Sequence, residues 1–423
     1  MQQKMKAKPW ARLDNAAKIF PPTSSKRDSK VFRLACELTE QVDPEVLQVA
    51  LDKTVEEFPH FRSVLRHGLF WYYLETSEFR PLVRPERKPP CSSIYDKNVK
   101  KLLFEVTYYQ RRINLEVYHV LTDGTGGLLF LRFLVYHYLI LKHADHFGEN
   151  PPLMDADASM AQKQSDSFQK YYDRHLKQRQ GKTPAAYKLK GAKIPENRLR
   201  IIEGVVSVQE VLTAARERGT TATVLLTALL LQALQEERSL RDKRNPAILV
   251  PVNLRKYFDS ESSRNFFGVI TVKHDFNKEK NSLEEIMASV KACFDRELTK
   301  EALERRMNMM ASLEHNVFMR VVPLALKDVV MRAAGDLSER ESTATLSNVG
   351  KITMPEELCG YIRLFDVFIS TNKLQVCVNS FGDNMTLCFT SPFVSTDVQR
   401  RFFRSLSAMG IRPTIVSNQL DEE

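Results

Sequence analysis

Ile113-Asn-Leu-Glu-Val-Tyr-His119-Val-Leu-Thr-Asp123-Gly124-Thr-Gly-Gly127 reads as a strand, a turn and the start of a helix. Along the strand, positions 113, 115, 117 and 119 share one face. Three of these are apolar and the fourth is His119. That face is therefore expected to be buried or to line a tunnel, with the histidine at its end. A histidine in a partly dry cleft stays neutral near pH 7 and accepts a proton from a hydroxyl or an amine. Asp123, before Gly124 at the helix start, has the position of an N-cap or a structural ion-pair partner. Gly124 and the pair Gly126-Gly127 are expected to supply backbone angles barred to other residues. A four-residue spacing from histidine to Asp-Gly also arises by chance, so the spacing alone does not assign a catalyst.

Outward from this stretch the chain alternates strands and helices. Val31 to Leu38 reads as a strand. Asp43-Pro44-Glu45 opens a helix reaching about Phe58, with Asp as cap and Pro at the first helical position. Phe61 to Leu74 and Leu102 to His119 read as hairpins, and a long helix covers about Thr125 to His143. Later strands fall at about 199–206, 247–252, 266–274, 344–346, 364–370, 374–379 and 385–390. Ser207 and Ser282, each three residues before a glutamate, begin helices as capping boxes. Thr220 to Glu236 is an apolar helix and Asp397 to Leu406 the last one. Hairpins mixed with helices, without a regular strand–helix–strand repeat, point to an α+β fold with two domains packed together. The expected division is 1–165, a basic crossover at 166–197, and 198–423.

At 423 residues the chain exceeds one ordinary core. Its 43% hydrophobic and 27% charged content is that of a globular protein. The longest apolar run, Gly126 to Leu141, contains Arg132 and His137, and no transmembrane segment is expected. The basic start is followed by no apolar stretch, so no secretory signal is expected either. The six cysteines form no C-x-x-C pair, which leaves neither zinc spacing nor a metal site in view and suits a cytoplasmic protein with reduced thiols. Of the net charge of +10, an excess of eight falls between Lys170 and Arg200. Such a block is a solvated linker or a surface for phosphates, acidic proteins or anionic lipid heads, so contact with a membrane surface stays open. No zinc-finger, RNA-binding or helix-turn-helix pattern is present, and nucleic acid is not an expected partner.

His119 to Gly124 resembles the His-x-x-x-Asp-Gly signature of the chloramphenicol acetyltransferase-like and condensation-domain acyltransferases. Four other stretches are similar to the same superfamily: Trp10-Ala-Arg-Leu-Asp-Asn15-Ala-Ala-Lys18-Ile-Phe20, Pro251-Val-Asn-Leu-Arg255, Asn265-Phe-Phe-Gly268-Val-Ile and Leu346-Ser347-Asn348-Val-Gly350. Their order and spacing agree over about residues 8 to 410. Tyr118 stands where condensation domains often have a second histidine, and the plant-type Asp-Phe-Gly-Trp-Gly motif is absent. Both departures lean towards the bacterial alcohol acetyltransferase-like branch.

The resemblance implies two chloramphenicol acetyltransferase-like domains, mixed sheets flanked by helices, forming a V with an interface tunnel. It implies His119 as general base and Asp123 as a structural residue paired with an arginine, Arg255 first and Arg264 next. Ser347 or Asn348 would donate to the oxyanion or position the acceptor. No cofactor is expected to stay bound, since acyl-CoA enters as co-substrate. Three readings follow. The chain is an O-acyltransferase moving an acyl group, acetyl in the first instance, from coenzyme A to an alcohol. Or it is a condensation-type enzyme using an acyl carrier protein in trans. Or it is a non-catalytic acyl-CoA-binding relative.

Overall fold

A computed structural model describes residues 10–148, 150–154, 167–173, 184–239, 241–278, 280–315 and 322–419. Arg174, Lys177, Arg179 and Lys182, four cations of the basic block, lie outside the described residues. The described strands form three sheets. The smallest pairs β1 (Trp10–Arg12) with β4 (Tyr72–Thr76) and β3 (Ser63–His67).

The second sheet has the order β12-β2-β7-β6-β5. Its members are Ile362–Ile369, Val31–Leu38, Arg112–Tyr118, Phe104–Tyr109 and Val83–Pro85. Only β5 and β6 run parallel. The edge strand β12 comes from late in the chain and pairs along Val31–Leu38 from Ile369↔Phe32 to Ile362↔Leu38.

The third sheet has seven strands, β10-β9-β11-β13-β14-β8-β15, and is mixed. β10 (Phe267–Lys273) and β9 (Ala247–Asn253) are antiparallel, while β9, β11 (Ala344–Lys351) and β13 (Leu374–Phe381) are parallel. β14 (Asn384–Ser391), β8 (Arg200–Ser207) and β15 (Thr414–Ser417) complete it antiparallel. One apolar core surrounds the five-stranded sheet and the helices Pro44–Glu57 and Gly124–Lys142. A second surrounds the seven-stranded sheet and the helices Ala222–Glu237 and Leu283–Glu297.

Local chemistry explains most element ends. Asp43 accepts from the Glu45 and Val46 N–H groups and Pro44 opens the helix. Ser282 and Glu285 make a reciprocal capping box. Ser207 accepts from the Glu210 N–H but gives its own hydroxyl proton to Asp383, so its second partner comes from the β13–β14 turn instead of Glu210. The helix Gly124–Lys142 is long and apolar enough to cross a membrane by length and composition, and 50% of that window is buried inside the protein. Its inward side carries Phe130, Leu131, Leu134 and Tyr138 against the second sheet and Pro44–Glu57.

The face of β7 that carries 113, 115 and 117 is buried, and so are residues 114, 116 and 118 on its other face. As an inner strand it is covered on both sides, and its second face holds Asn114, Glu116 and Tyr118. These polar groups are satisfied internally: Arg33 donates to Glu116 at 3.0 Å, Asn114 to Glu86 at 3.2 Å, and Tyr118 shares a hydrogen bond with Ser24 at 2.9 Å. The glycines after Asp123 do not adopt positive φ. Gly126 and Gly127 are needed for space. A Cβ at 126 would meet the Ser263 carbonyl oxygen at 2.0 Å, and one at 127 would meet the Phe32 ring at 2.8 Å. At Gly124 nothing lies within 4 Å.

Candidate functional site

His119 directly follows β7, and its N–H donates to the Lys30 carbonyl at 2.9 Å, continuing the pairing with the chain before β2. Three aromatic rings surround the imidazole. Phe20 stacks on it at 4.6 Å between centroids, Phe32 lies at 4.9 Å and Phe267 at 5.9 Å. Burial among these rings pushes the imidazole pKa down from its ordinary value, against the opposing pull of Asp123 and Asn265. The ring is therefore neutral at pH 7 and free to accept a proton.

Asp123 turns to structure. Its carboxylate caps the helix by accepting from Thr125 N (3.1 Å) and Gly126 N (3.0 Å), and it accepts from Phe266 N at 2.8 Å. Arg255 meets it with both terminal nitrogens, at 2.8 and 3.3 Å. The guanidinium also donates to the carbonyls of Ser262, Arg264 and Phe266. Both side chains are nearly buried, at 10% and 6% exposure. Each charge thus has a partner and several hydrogen bonds, the condition under which a buried pair is tolerated. Arg264 is not at Asp123. It donates to the Arg12 carbonyl and lies 3.8 Å from Asp14.

Three further residues, Asn265, Asp14 and Phe20, stand around His119. Asn265 Oδ1 is 3.3 Å from His119 Nδ1, while its Nδ2 donates to the His119 carbonyl and to Asp14 Oδ2, both at 3.1 Å. Asp14 is 1% exposed and its other oxygen accepts from Ala17 N at 2.7 Å. In sequence Asp14-Asn-Ala-Ala17 signals only a capped turn, and Phe20 follows it. Both fall inside the Trp10–Phe20 stretch, and Asn265 begins the stretch Asn265-Phe-Phe-Gly268, which is the available signal.

His119, Asp123, Gly124 and Arg255 line one cavity of about 810 Å³, together with Ser347 and Asn348. That volume suits a ligand of moderate size. Its walls draw on β2, β9, β10, β11, β12 and the residues before the helix Ala222–Glu237. Asn348 donates to Thr223 Oγ1 at 2.7 Å and accepts from Gly350 N, so its amide is engaged at the rim. Ser347, one residue back on β11, is half-buried on the cavity wall. Lys256 and Lys291 add positive charge to the same walls and Asp295 adds negative charge. Of the basic block, Lys170 donates to the Asp259 carbonyl and Lys188 to that of Ser342, so these two are engaged elsewhere. Tyr118 does not join His119. Its ring stacks on Tyr95 at 5.3 Å. Among the described residues no group of three or more His, Cys, Asp or Glu side chains is placed to hold a metal ion.

No family model matches the chain, and no curated protein matches it in sequence. Solved structures do match its fold. Trichothecene 15-O-acetyltransferase from Fusarium sporotrichioides aligns with a TM-score of 0.61 at 15% identity, over 95% of this chain and 94% of that one. Polyketide synthase associated protein 5 from Mycobacterium tuberculosis aligns with 0.59 at 14%, over 95% and 98%. A mutant starter condensation domain of rhizomide synthetase, in complex with C8-CoA and Leu-SNAC, aligns with 0.59 at 13%, over 95% and 94%. The chain has the mixed α/β fold of an O-acetyltransferase and of synthetase condensation domains, over nearly its whole length.

Proposed function

We propose that the protein is an acyltransferase that moves an acyl group from a coenzyme A thioester to a hydroxyl acceptor, with His119 as general base. The observation that carries this reading is a buried histidine, held by aromatic rings and a hydrogen bond to Asn265, on the wall of a cavity of about 810 Å³. The fold shared with an O-acetyltransferase supports it. In this reading the two sheets belong to two halves of a V, and donor and acceptor meet at His119.

The acceptor hydroxyl gives its proton to the imidazole as its oxygen attacks the thioester carbonyl. The tetrahedral oxyanion then collapses, the carbon–sulfur bond breaks, and the proton returns from the imidazolium to the leaving thiolate. Ester and free thiol result. A thioester is activated already, and general base catalysis contributes roughly 10²- to 10⁴-fold. Ser347 is the better oxyanion donor of the two candidates, because the Asn348 amide is engaged with Thr223. Lys256 and Lys291 give the cavity the charge to hold an anionic donor.

The test is release of free thiol from acetyl-CoA in the presence of a panel of alcohols. Wild-type protein is expected to turn over, with His119→Ala at least about 100-fold slower at unchanged melting temperature. The acid limb of kcat/KM should lie below the ordinary histidine value of 6.5, since burial lowers the pKa. Equal rates in wild type and variant would sink the assignment. The condensation-type reading, supported by the fold shared with synthetase condensation domains, predicts turnover only with a loaded carrier protein. Acyl-CoA binding by calorimetry without turnover would leave the binding-only reading.

A further inference from the structure

Resting on the acyl-transfer reading of the cavity, we infer that a gap between β9 and β11 takes an alkyl chain, so that at least one of the two substrates carries a chain well beyond two carbons.

β9 and β11 are parallel neighbours that part. They pair at Ala344↔Ile248 and Thr345↔Leu249. Beyond that point β9 stays with β10 as far as Asn253↔Phe267, and β11 stays with β13 as far as Lys351↔Ser380. Residues 250–253 of β9 and 347–349 of β11 line the cavity. The seven-stranded sheet is thus split by a wedge, and the cavity occupies it.

Through the wedge the cavity reaches both faces of the sheet. Successive residues of a strand point to opposite faces. On one face Asn253 donates to Thr125 Oγ1 at 3.3 Å, at the start of the helix after His119, and Val349 packs on the core of the five-stranded sheet. On the other, Val250 and Val252 belong to the second core, and Asn348 donates to Thr223 at the start of the helix Ala222–Glu237. All of these residues line the one cavity that also holds His119.

The wall beyond the wedge is apolar. Val224 comes from the helix Ala222–Glu237, Phe294 from the helix Leu283–Glu297 and Leu298 from its end, and they face the cavity with Val250 and Val252. Lys291 and Asp295, on the same face of that helix, are exposed at the rim. Neighbouring strands stand about 4.8 Å apart where they pair, so a gap that opens within a few residues of a paired register fits a single extended chain. Each methylene moved from water to such a wall strengthens binding roughly fourfold. The chain belongs to the acyl donor or to the alcohol, and the two are separated by varying one at a time.

The experiment measures kcat/KM in two series. One runs acetyl-, hexanoyl- and octanoyl-CoA against ethanol; the other runs ethanol, hexanol and octanol against acetyl-CoA. A rise of at least about tenfold from the shortest to the longest member of either series is expected, which asks for only two or three buried methylenes, and the series that rises names the substrate bearing the chain. Filling the wall should abolish the rise. Leu298→Trp, at a half-buried position, and Val250→Phe, at a buried one, are each expected to lower the long-to-short ratio at least about tenfold. The ratio is internal to each variant, so a change in overall rate does not enter it. Two flat series in wild-type protein overturn the inference, as do folded Leu298→Trp and Val250→Phe that both keep the wild-type ratio. His119-dependent turnover with both series flat would leave the acyl-transfer reading standing and defeat the chain site. Octanoyl-CoA bound at least about tenfold tighter than acetyl-CoA by calorimetry, in a protein without turnover, would do the reverse.

Discussion

Arg255 and Arg112 are both set among carboxylates, in opposite ways. Arg255 faces one acid, Asp123, and its remaining donors meet carbonyls of the 262–266 loop. Arg112 faces three: Glu37 at 2.8 Å, Asp366 at 2.9 Å and Glu203 at 3.1 Å, which join the five-stranded sheet to β8 of the seven-stranded one. The first site is balanced in charge. The second is crowded with negative charge even with Arg363 also on Glu37. Burial and the charges of Glu203 and Glu37 push the Asp366 carboxyl up from its ordinary range, against the pull of Arg112. A strongly shifted group is a candidate functional group in general. Here it is not. Asp366 and its neighbours Val367 and Ile369 alternate along β12, and it is Val367 and Ile369, not Asp366, that line the cavity. The shift of His119 points to chemistry because a cavity meets it, whereas that of Asp366 records only how tightly the two sheets are joined.

The comparison is broken most directly at Arg255. Arg255→Ala leaves Asp123 buried without its cation and is expected to cost roughly 3–5 kcal/mol of stability in urea unfolding. A loss below about 1 kcal/mol would mean that the helix cap and the Phe266 N–H hold Asp123 unaided. Next comes the helix that Asp123 caps. Gly126→Ala should cost about 1–3 kcal/mol or more, because the added carbon would meet the Ser263 carbonyl and Thr122 Oγ1. Gly124→Ala is expected within about 0.5 kcal/mol of wild type, since its added carbon meets nothing within 4 Å. Thermal melts of the two variants side by side would show whether crowding, and not glycine content, governs the loop.

The gentlest test lies at the crowded cluster. The folded-state pKa of Asp366 stands above its ordinary 3.8. The folded protein therefore binds a proton that the unfolded chain releases between about pH 4 and 8, and this contribution to stability is complete below pH 4 and lost as pH rises towards 8. Asp366→Asn should flatten that slope and be neutral or stabilising by about 1 kcal/mol at pH 8, as replacing members of buried ionic clusters often is. An unchanged slope between about pH 4 and 8 in the variant would show that Asp366 is already ionised beside Arg112.

The strand, turn and helix around His119 were legible because each rests on neighbours in sequence. Alternation along 113–119 gives a strand, Asp123 before Gly124 gives a cap, and the apolar run gives the helix Gly124–Lys142. Arg255 stood out only through resemblance, not through any local rule. What surrounds the imidazole was not legible. Asn265 lies 146 positions from His119, and Asp14 lies 251 positions from Asn265. No periodicity or cap connects residues so far apart; sheet pairing and packing bring them together. The same limit applies to β7, whose second face is covered by groups distant in sequence, Ser24, Glu86 and Tyr95 among them.

By itself, the sequence determined a histidine at a strand end, a capped apolar helix behind it, and two sets of strands too large for one core. The tertiary structure alone decided that the second face of β7 is buried, that Gly126 is a glycine for space, and that Asn265 and Asp14 stand behind His119. The physical reason is range. Backbone preference and capping act over a few residues, whereas the state of an imidazole is set by whatever atoms the folded chain places within about 4 Å of it.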